Sequence, residues 1–156
     1  MAKNQLKYLS LCGMLGYGYP EESLQEGLKH APSFIGVDNG STDPGPYYLG
    51  SGSSFVQPEQ IRRDLELALV AARRHDIPLI IGTAGGSGAA PHCAMFRDIL
   101  LEIAQQHQLH FELASISADV SADLLLDAGD QQRLTPCGSV AAPSERAVRD
   151  CSHLVA

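Results

Sequence analysis

The chain has 156 residues, of which 44% are hydrophobic and 19% charged, a composition typical of one soluble globular domain. Its net charge of −7 comes without clusters of lysine and arginine, which argues against nucleic-acid binding because basic patches hold phosphate backbones. No apolar run approaches the roughly 18 residues of a membrane span, and the short apolar stretch 9–15 breaks into a glycine-rich turn, unlike a signal peptide. These features predict a cytoplasmic protein that binds neither nucleic acid nor membranes.

Short apolar runs alternate with longer amphipathic segments along the chain. Strands are predicted at 6–12, 34–38, 77–82 and 109–116, and helices at 21–30, at 58–75, from 91 onward, at 121–129 and from 144 to the end. This alternation predicts parallel strands joined by helical crossovers. The expected fold class is therefore α/β, an open three-layer sandwich with a mostly parallel, Rossmann-like sheet. A closed eightfold barrel needs about 250 residues and is excluded by length.

The most informative segment follows the second predicted strand and reads V-D-N-G-S-T-D-P-G-P-Y-Y-L-G-S-G, residues 37–52. A connector between a strand and a helix usually has about 2–6 residues. A longer polar connector costs ordering entropy, so we interpret this loop as a binding or catalytic loop. Within it, Asp38 and Asp43 are the best acid/base candidates, and together they could share a divalent cation. The alternative is that both carboxylates only cap turns of the loop.

Three loops follow predicted strands: Gly13–Tyr19, Asp38–Gly52 and Thr83–His92. Because ligands of open α/β sheets bind beyond the carboxyl ends of the strands, the loops are expected to form one site. The residues predicted to bind substrate there are Gly16, Tyr17, Gly18, Asn39, Ser41, Thr42, Tyr47, Thr83, Gly85, Gly86, Ser87 and Gly88. Tyr47 could instead only pin its loop.

Glycines 13, 16 and 18 resemble a phosphate-binding turn without matching G-x-G-x-x-G. Asp38, twenty residues after Gly18, keeps nucleotide binding open as an alternative to a tight turn, although NAD is not expected. The third loop, G-T-A-G-G-S-G-A-A-P-H, leads into a helix N-terminus, where backbone N–H groups could hold a carboxylate, phosphate or thioester oxygen. A purely structural turn is the alternative. Without a Walker lysine, nucleoside triphosphate hydrolysis is not predicted.

His92 lies in the first turn of the helix that follows this loop. It is a candidate general base or ligand, and the helix N-terminus is expected to keep its imidazole neutral. Cys93 is a weaker candidate nucleophile, since no histidine and aspartate pair accompanies it. The four cysteines form no C-x-x-C pair and are expected to be free thiols.

The loop string 37–52, together with G-M-L-G-Y-G-Y-P-E-E-S and I-I-G-T-A-G-G-S-G-A-A-P-H, resembles the acyclic terpene utilisation (AtuA-like) family. The resemblance implies a cytoplasmic role in breakdown of small carboxylic acids or acyl thioesters, as a hydratase or lyase. Family members are longer, so it also implies that residues 1–156 are a single α/β domain from the N-terminal part of a longer architecture.

The positions that match the family pattern are Asp38, Thr42, Asp43, Tyr47, Gly85, Gly86 and His92. We therefore predict that Asp38, Asp43 and His92 are catalytic. The predicted partner is a small anionic ligand or acyl thioester. Assembly into a homo-oligomer is left open. The cofactor stays undetermined. The alternative function is a non-catalytic domain for ligand binding or assembly within a larger enzyme.

Overall fold

A computed structural model describes residues 5–40, 46–135 and 138–155. Its strands are β1 (Tyr8–Ser10), β2 (Phe34–Asp38) and β3 (Leu79–Gly82). Its α-helices are α1 (Glu21–Leu28), α2 (Pro46–Ser51), α3 (Pro58–Arg74), α4 (Ala90–His107), α5 (Ala122–Asp130) and α6 (Glu145–Asp150), and a 3-10 turn covers Ala84–Gly86. The strands pair in parallel in the order β1-β2-β3, with Leu9, Ile35 and Leu79 in register. The α/β class and the parallel strands are thus confirmed.

The core lies on one face of this sheet. Along β2 the side chains alternate, and Ile35 and Val37 are buried on the core face. Helices α1 and α3 pack their apolar stripes around Ile35, and α3 and α4 pack around Val37. The residues that form this interface are Leu24, Leu28, Ile61, Leu65, Leu69, Ala71, Ala72, Phe96, Ile99, Leu100 and Ile103. Three helices therefore cover the same side of the strands.

The opposite face of the sheet is partly exposed. Tyr8 and Ile80 are 68% and 54% exposed there, and the Tyr8 ring stacks on Phe34 with centroids 5.7 Å apart. A three-layer sandwich needs a second helical layer on this face. The three-layer, Rossmann-like arrangement accordingly stays a prediction.

The prediction of a fourth strand is wrong, because the structure has no strand at 109–116. Residues 111–116 lie across a cavity of about 240 Å³ from Leu79 and Ile81 of β3, so the two backbones do not pair. The far end of the segment is held elsewhere, because the Ala118 N–H donates to the Gly88 carbonyl at 2.9 Å. This contact pulls the chain toward the start of α4 and away from the sheet edge.

Two further boundaries differ from the sequence prediction. The long loop contains α2, which begins at Pro46, a residue whose fixed φ suits a first helical turn. The last helix ends at Asp150, not at the chain end, and Val155 instead forms an antiparallel bridge with Asp119. The hydroxyls of Ser121 and Ser144 accept N–H groups of α5 and α6 and so cap the starts of these helices. Within the described ranges, no helix combines the length and apolar character needed to cross a bilayer.

Candidate functional site

Hydrogen bonds join the three loops at the carboxyl edge of the sheet. The Leu15 N–H donates to the Asp38 carbonyl at 2.8 Å. Asn39, 2% exposed, donates from Nδ2 to the Leu15 carbonyl at 2.7 Å and accepts the Gly85 N–H at Oδ1 at 2.8 Å. One buried amide therefore contacts both neighbouring loops. Its first role is to hold them together, and any contact of Asn39 with substrate would come in addition to these bonds.

Asp38 ends β2 at the rim of this junction. Its Oδ1 accepts the Thr83 hydroxyl and the Gly40 N–H, the latter at 3.0 Å. No described residue makes a hydrogen bond to Oδ2. The carboxylate is half-buried, and one of its oxygens is fixed by the protein.

His92 is almost fully enclosed, with 1% of its surface exposed. Its Nδ1 lies 3.1 Å from the Ser87 hydroxyl, and its Nε2 makes no hydrogen bond of normal geometry within the described residues. Burial lowers the pKa of His92, and the nearby backbone of Gly52 and Ser53 offsets this only in part. The predicted neutral imidazole is thus supported, with burial as its cause in place of the helix N-terminus.

The first glycine loop already holds a carboxylate of the protein. Asp64, on α3, is 1% exposed, and its Oδ2 accepts the N–H groups of Gly16 and Gly18 at 2.7 and 2.9 Å. Arg63 Nε donates to Oδ1 at 2.9 Å. The N–H groups that sequence analysis offered to a ligand are therefore engaged by an internal anion. Burial and the Asp64 charge also raise the pKa of the Tyr19 hydroxyl, whose oxygen donates to the Asp64 carbonyl at 2.7 Å.

Sequence reasoning missed Asp64, although a signal was present. The residue lies three positions after Ile61 and next to Leu65, on the apolar stripe of a clear amphipathic helix. A charged residue in such a position needs a buried partner. The glycine-rich loop, with its unpaired N–H donors, was the evident candidate.

The third loop also satisfies its own donors. The N–H groups of Gly85, Gly86, Ser87 and Gly88 donate to Asn39 Oδ1 and to the carbonyls of Thr83, Ala84 and Ala84, respectively. At the start of α4 the Ala90 N–H donates to Asp119 Oδ2 at 2.5 Å. These bonds favour the structural-turn alternative over anion binding by the loop's backbone.

The remaining predicted residues are distributed around this junction. Tyr17 and Tyr47 are exposed, 65% and 68%, and the Tyr47 ring meets Tyr48 edge-on at 5.2 Å. Ser41, Thr42 and Asp43 lie outside the described residues. Within the described part of the chain, no group of three or more histidine, cysteine, aspartate or glutamate side chains could hold a metal ion. Cys12, Cys93 and Cys151 are free thiols.

Comparisons of the chain with protein-family models, with curated proteins and with solved structures found no match.

The close approach of the third loop to His92 can be tested with one glycine. Gly85 has φ of +72°, and a Cβ there would lie 2.5 Å from His92 Cβ. We expect Gly85→Ala to lower the free energy of unfolding by about 1–3 kcal/mol through backbone strain and overpacking, measured by urea denaturation. Gly13→Ala is the control, because nothing lies within 4 Å of its Cβ position. Equal stabilities of the two variants would contradict this packing.

Proposed function

We propose that the chain is an enzyme domain that moves a proton on a small carboxylic acid or acyl thioester, in the manner of a hydratase or lyase. The observation that carries this proposal is His92, a buried imidazole held at Nδ1 by Ser87 and without a described partner at Nε2. Burial lowers its pKa, which favours the neutral form. A buried polar atom normally has a partner, and a neutral imidazole at neutral pH is a competent general base. The resemblance to the AtuA-like family supports the substrate class and a cytoplasmic role.

In the proposed mechanism Nε2 of His92 accepts the proton from the carbon next to the carbonyl. Ser87 orients the ring by its hydrogen bond to Nδ1. For Nε2 to accept a proton, Nδ1 carries the hydrogen and donates it to the Ser87 hydroxyl. Asp38 supplies the second ionisable group through Oδ2, while Thr83 and Gly40 hold Oδ1. In a hydratase this second group would return a proton or position the water that adds to the double bond.

The acyl part of the substrate would lie against the aromatic side chains of the long loop. Tyr48 meets both Tyr47 and Phe55 edge-on, at 5.2 and 5.3 Å between ring centroids. Tyr47 and Phe55 are exposed, 68% and 46%, which leaves apolar surface for a chain of several carbons. Since the glycine N–H groups are engaged internally, the anionic end would need another counter-charge. A divalent cation shared between Asp38 and Asp43 is the candidate that the sequence offers. Asp38 would then hold the cation in place of moving a proton, and His92 would be the remaining group that moves one.

The test uses a panel of 2-enoyl and 3-hydroxyacyl thioesters of coenzyme A and the corresponding free acids, incubated with the protein in D₂O. Proton NMR would follow exchange at C2 and hydration of the double bond, with and without Mg²⁺. We expect exchange or hydration above the buffer rate for at least one member of the panel. Absence of turnover across the panel at a protein concentration that saturates a binding signal would refute the proposal.

A second candidate is a non-catalytic domain for ligand binding or assembly. It is favoured by Asp64 and Asp119, which occupy the N–H donors of the two glycine turns, and by the exposed Tyr8 and Ile80 on the sheet. Such a domain would bind a panel member in calorimetric titration and turn none over. Turnover by the isolated chain would exclude it.

A further inference from the structure

Residues 151–155, here called the C-terminal strap, follow α6 and return toward the start of α4. The strap meets the preceding chain through backbone contacts: Val155 bridges Asp119, and the Val120 N–H donates to the Leu154 carbonyl at 2.8 Å. His153 Nδ1 lies 3.3 Å from Asp119 Oδ1. Because the other oxygen of Asp119 accepts the Ala90 N–H, one carboxylate links the strap to the helix that carries His92.

The strap also lies on the end of the long loop. A Cβ at Gly52 would be 3.0 Å from Nε2 of His153, and a Cβ at Gly50 would be 3.8 Å from the His153 carbonyl oxygen. Gly52 and Ser53 are the residues whose backbone lies next to the His92 ring. Residues 50–53 therefore contact the strap through Gly50 and Gly52 and contact the imidazole of His92 through Gly52 and Ser53.

The segment that leads into the strap buries little apolar surface. Val148 is the buried residue of α6, and α5 has none. The described parts of the connection 131–144 contain neither helix nor strand. A segment with few buried apolar contacts opens at a low free-energy cost compared with the core.

We propose that the C-terminal strap gates the site, so that a ligand reaches His92 only when His153 leaves Gly52 and residues 50–53 move outward. The gate would account for the 1% exposure of a histidine whose Nε2 has no hydrogen-bond partner among the described residues. That the gate regulates catalysis rests on the proposed function. The opening of the strap can be measured without any turnover.

Diethyl pyrocarbonate is the probe, since it acylates accessible neutral imidazoles. Peptide mass spectrometry would give the rate at each histidine of the full chain, with the exposed His75 as internal standard. We expect His92 to react more slowly than His75 in the parent protein and about tenfold faster in His153→Ala, which removes the side-chain contacts of His153 with Asp119 and Gly52. Ser152→Ala, an exposed position in the same strap, is the matched control and should leave the rate unchanged.

A second variant, Val120→Pro, removes the backbone N–H that donates to the Leu154 carbonyl and should loosen the strap without touching the His153 ring. It should also accelerate the reaction of His92. If both variants keep the parent rate, or if parent His92 already reacts as fast as His75, the gate does not exist. Faster reaction without turnover in the thioester panel would retain the gate and refute the enzyme.

Discussion

Replacing His92 with glutamine should lower the rate of C2 exchange or hydration by about 10²–10⁴-fold, the usual contribution of a positioned general base. Glutamine has a similar length and keeps a polar group within reach of Ser87, but it cannot accept a proton at neutral pH. The variant should fold, because the side chain it replaces is held by one hydrogen bond to Ser87. The measurement is the initial rate on the thioester identified by the NMR panel.

The matched control is His75→Gln, which changes an exposed histidine at the end of α3. Its rate should equal that of the parent protein. If His92→Gln retains the parent rate while its circular dichroism and urea midpoint show a folded protein, then His92 is not the base. A fall in rate that is explained by unfolding would show in the same two measurements.

The lowered pKa of His92 also predicts the pH dependence. The base is neutral above its pKa, which lies below the ordinary value of 6.5, so the acid limb of kcat/KM should fall below pH 6.5. The free energy of unfolding should change with pH in the same direction as kcat/KM. As pH falls below 6.5, the unfolded chain takes up a proton that the folded chain takes up only at lower pH, so the free energy of unfolding decreases. His92→Gln should remove this part of the slope between the two pKa values.

Replacing Asp64 with alanine should lower the free energy of unfolding by about 3–5 kcal/mol. The change removes the acceptor of the Gly16 and Gly18 N–H groups and leaves them without a partner beneath the loop. Urea denaturation with a common m-value would measure the loss. Asp64→Asn should cost less, about 1–2 kcal/mol, because one amide oxygen can replace Oδ2 as acceptor of both bonds.

Asp98→Ala is the control for Asp64. Arg97 and Asp98 form the same adjacent Arg-Asp ion pair on α4 that Arg63 and Asp64 form on α3, but the Asp98 side chain is 61% exposed. Its removal should change stability by less than about 0.5 kcal/mol. Equal losses in Asp64→Ala and Asp98→Ala would mean that the buried carboxylate does not support the loop.

Much of the fold could be predicted because local patterns and burial agree over the first hundred residues. The apolar stripe of α3 and the short apolar run of β2 gave these elements within one or two residues of their observed bounds. The segment 109–116 failed because its apolar content is compatible with a strand, whereas pairing depends on a contact made elsewhere, between Ala118 and Gly88. Such long-range contacts leave no trace in local periodicity.

The candidate site divides in the same way. Position at the carboxyl ends of parallel strands was enough to bring the three loops together, and Asn39 and His92 were identified from their places in those loops. The sequence did not predict which backbone N–H groups of these loops would be free to bind a ligand. Asp64 is 48 positions from Gly16 and Asp119 is 29 positions from Ala90, and each fills a turn that looks open when its own loop is considered alone.

The sequence by itself determined the α/β class, the parallel direction of the strands and the sheet edge at which the polar loops gather. Periodicity and turn residues suffice for this because they act over a few neighbouring positions. The tertiary structure alone decided which polar groups are satisfied. Asp64 and Asp119 reach the two glycine turns from distant parts of the chain, while Nε2 of His92 keeps no described partner. The physical reason is that hydrogen bonds between distant segments depend on packing in three dimensions, which no local pattern encodes.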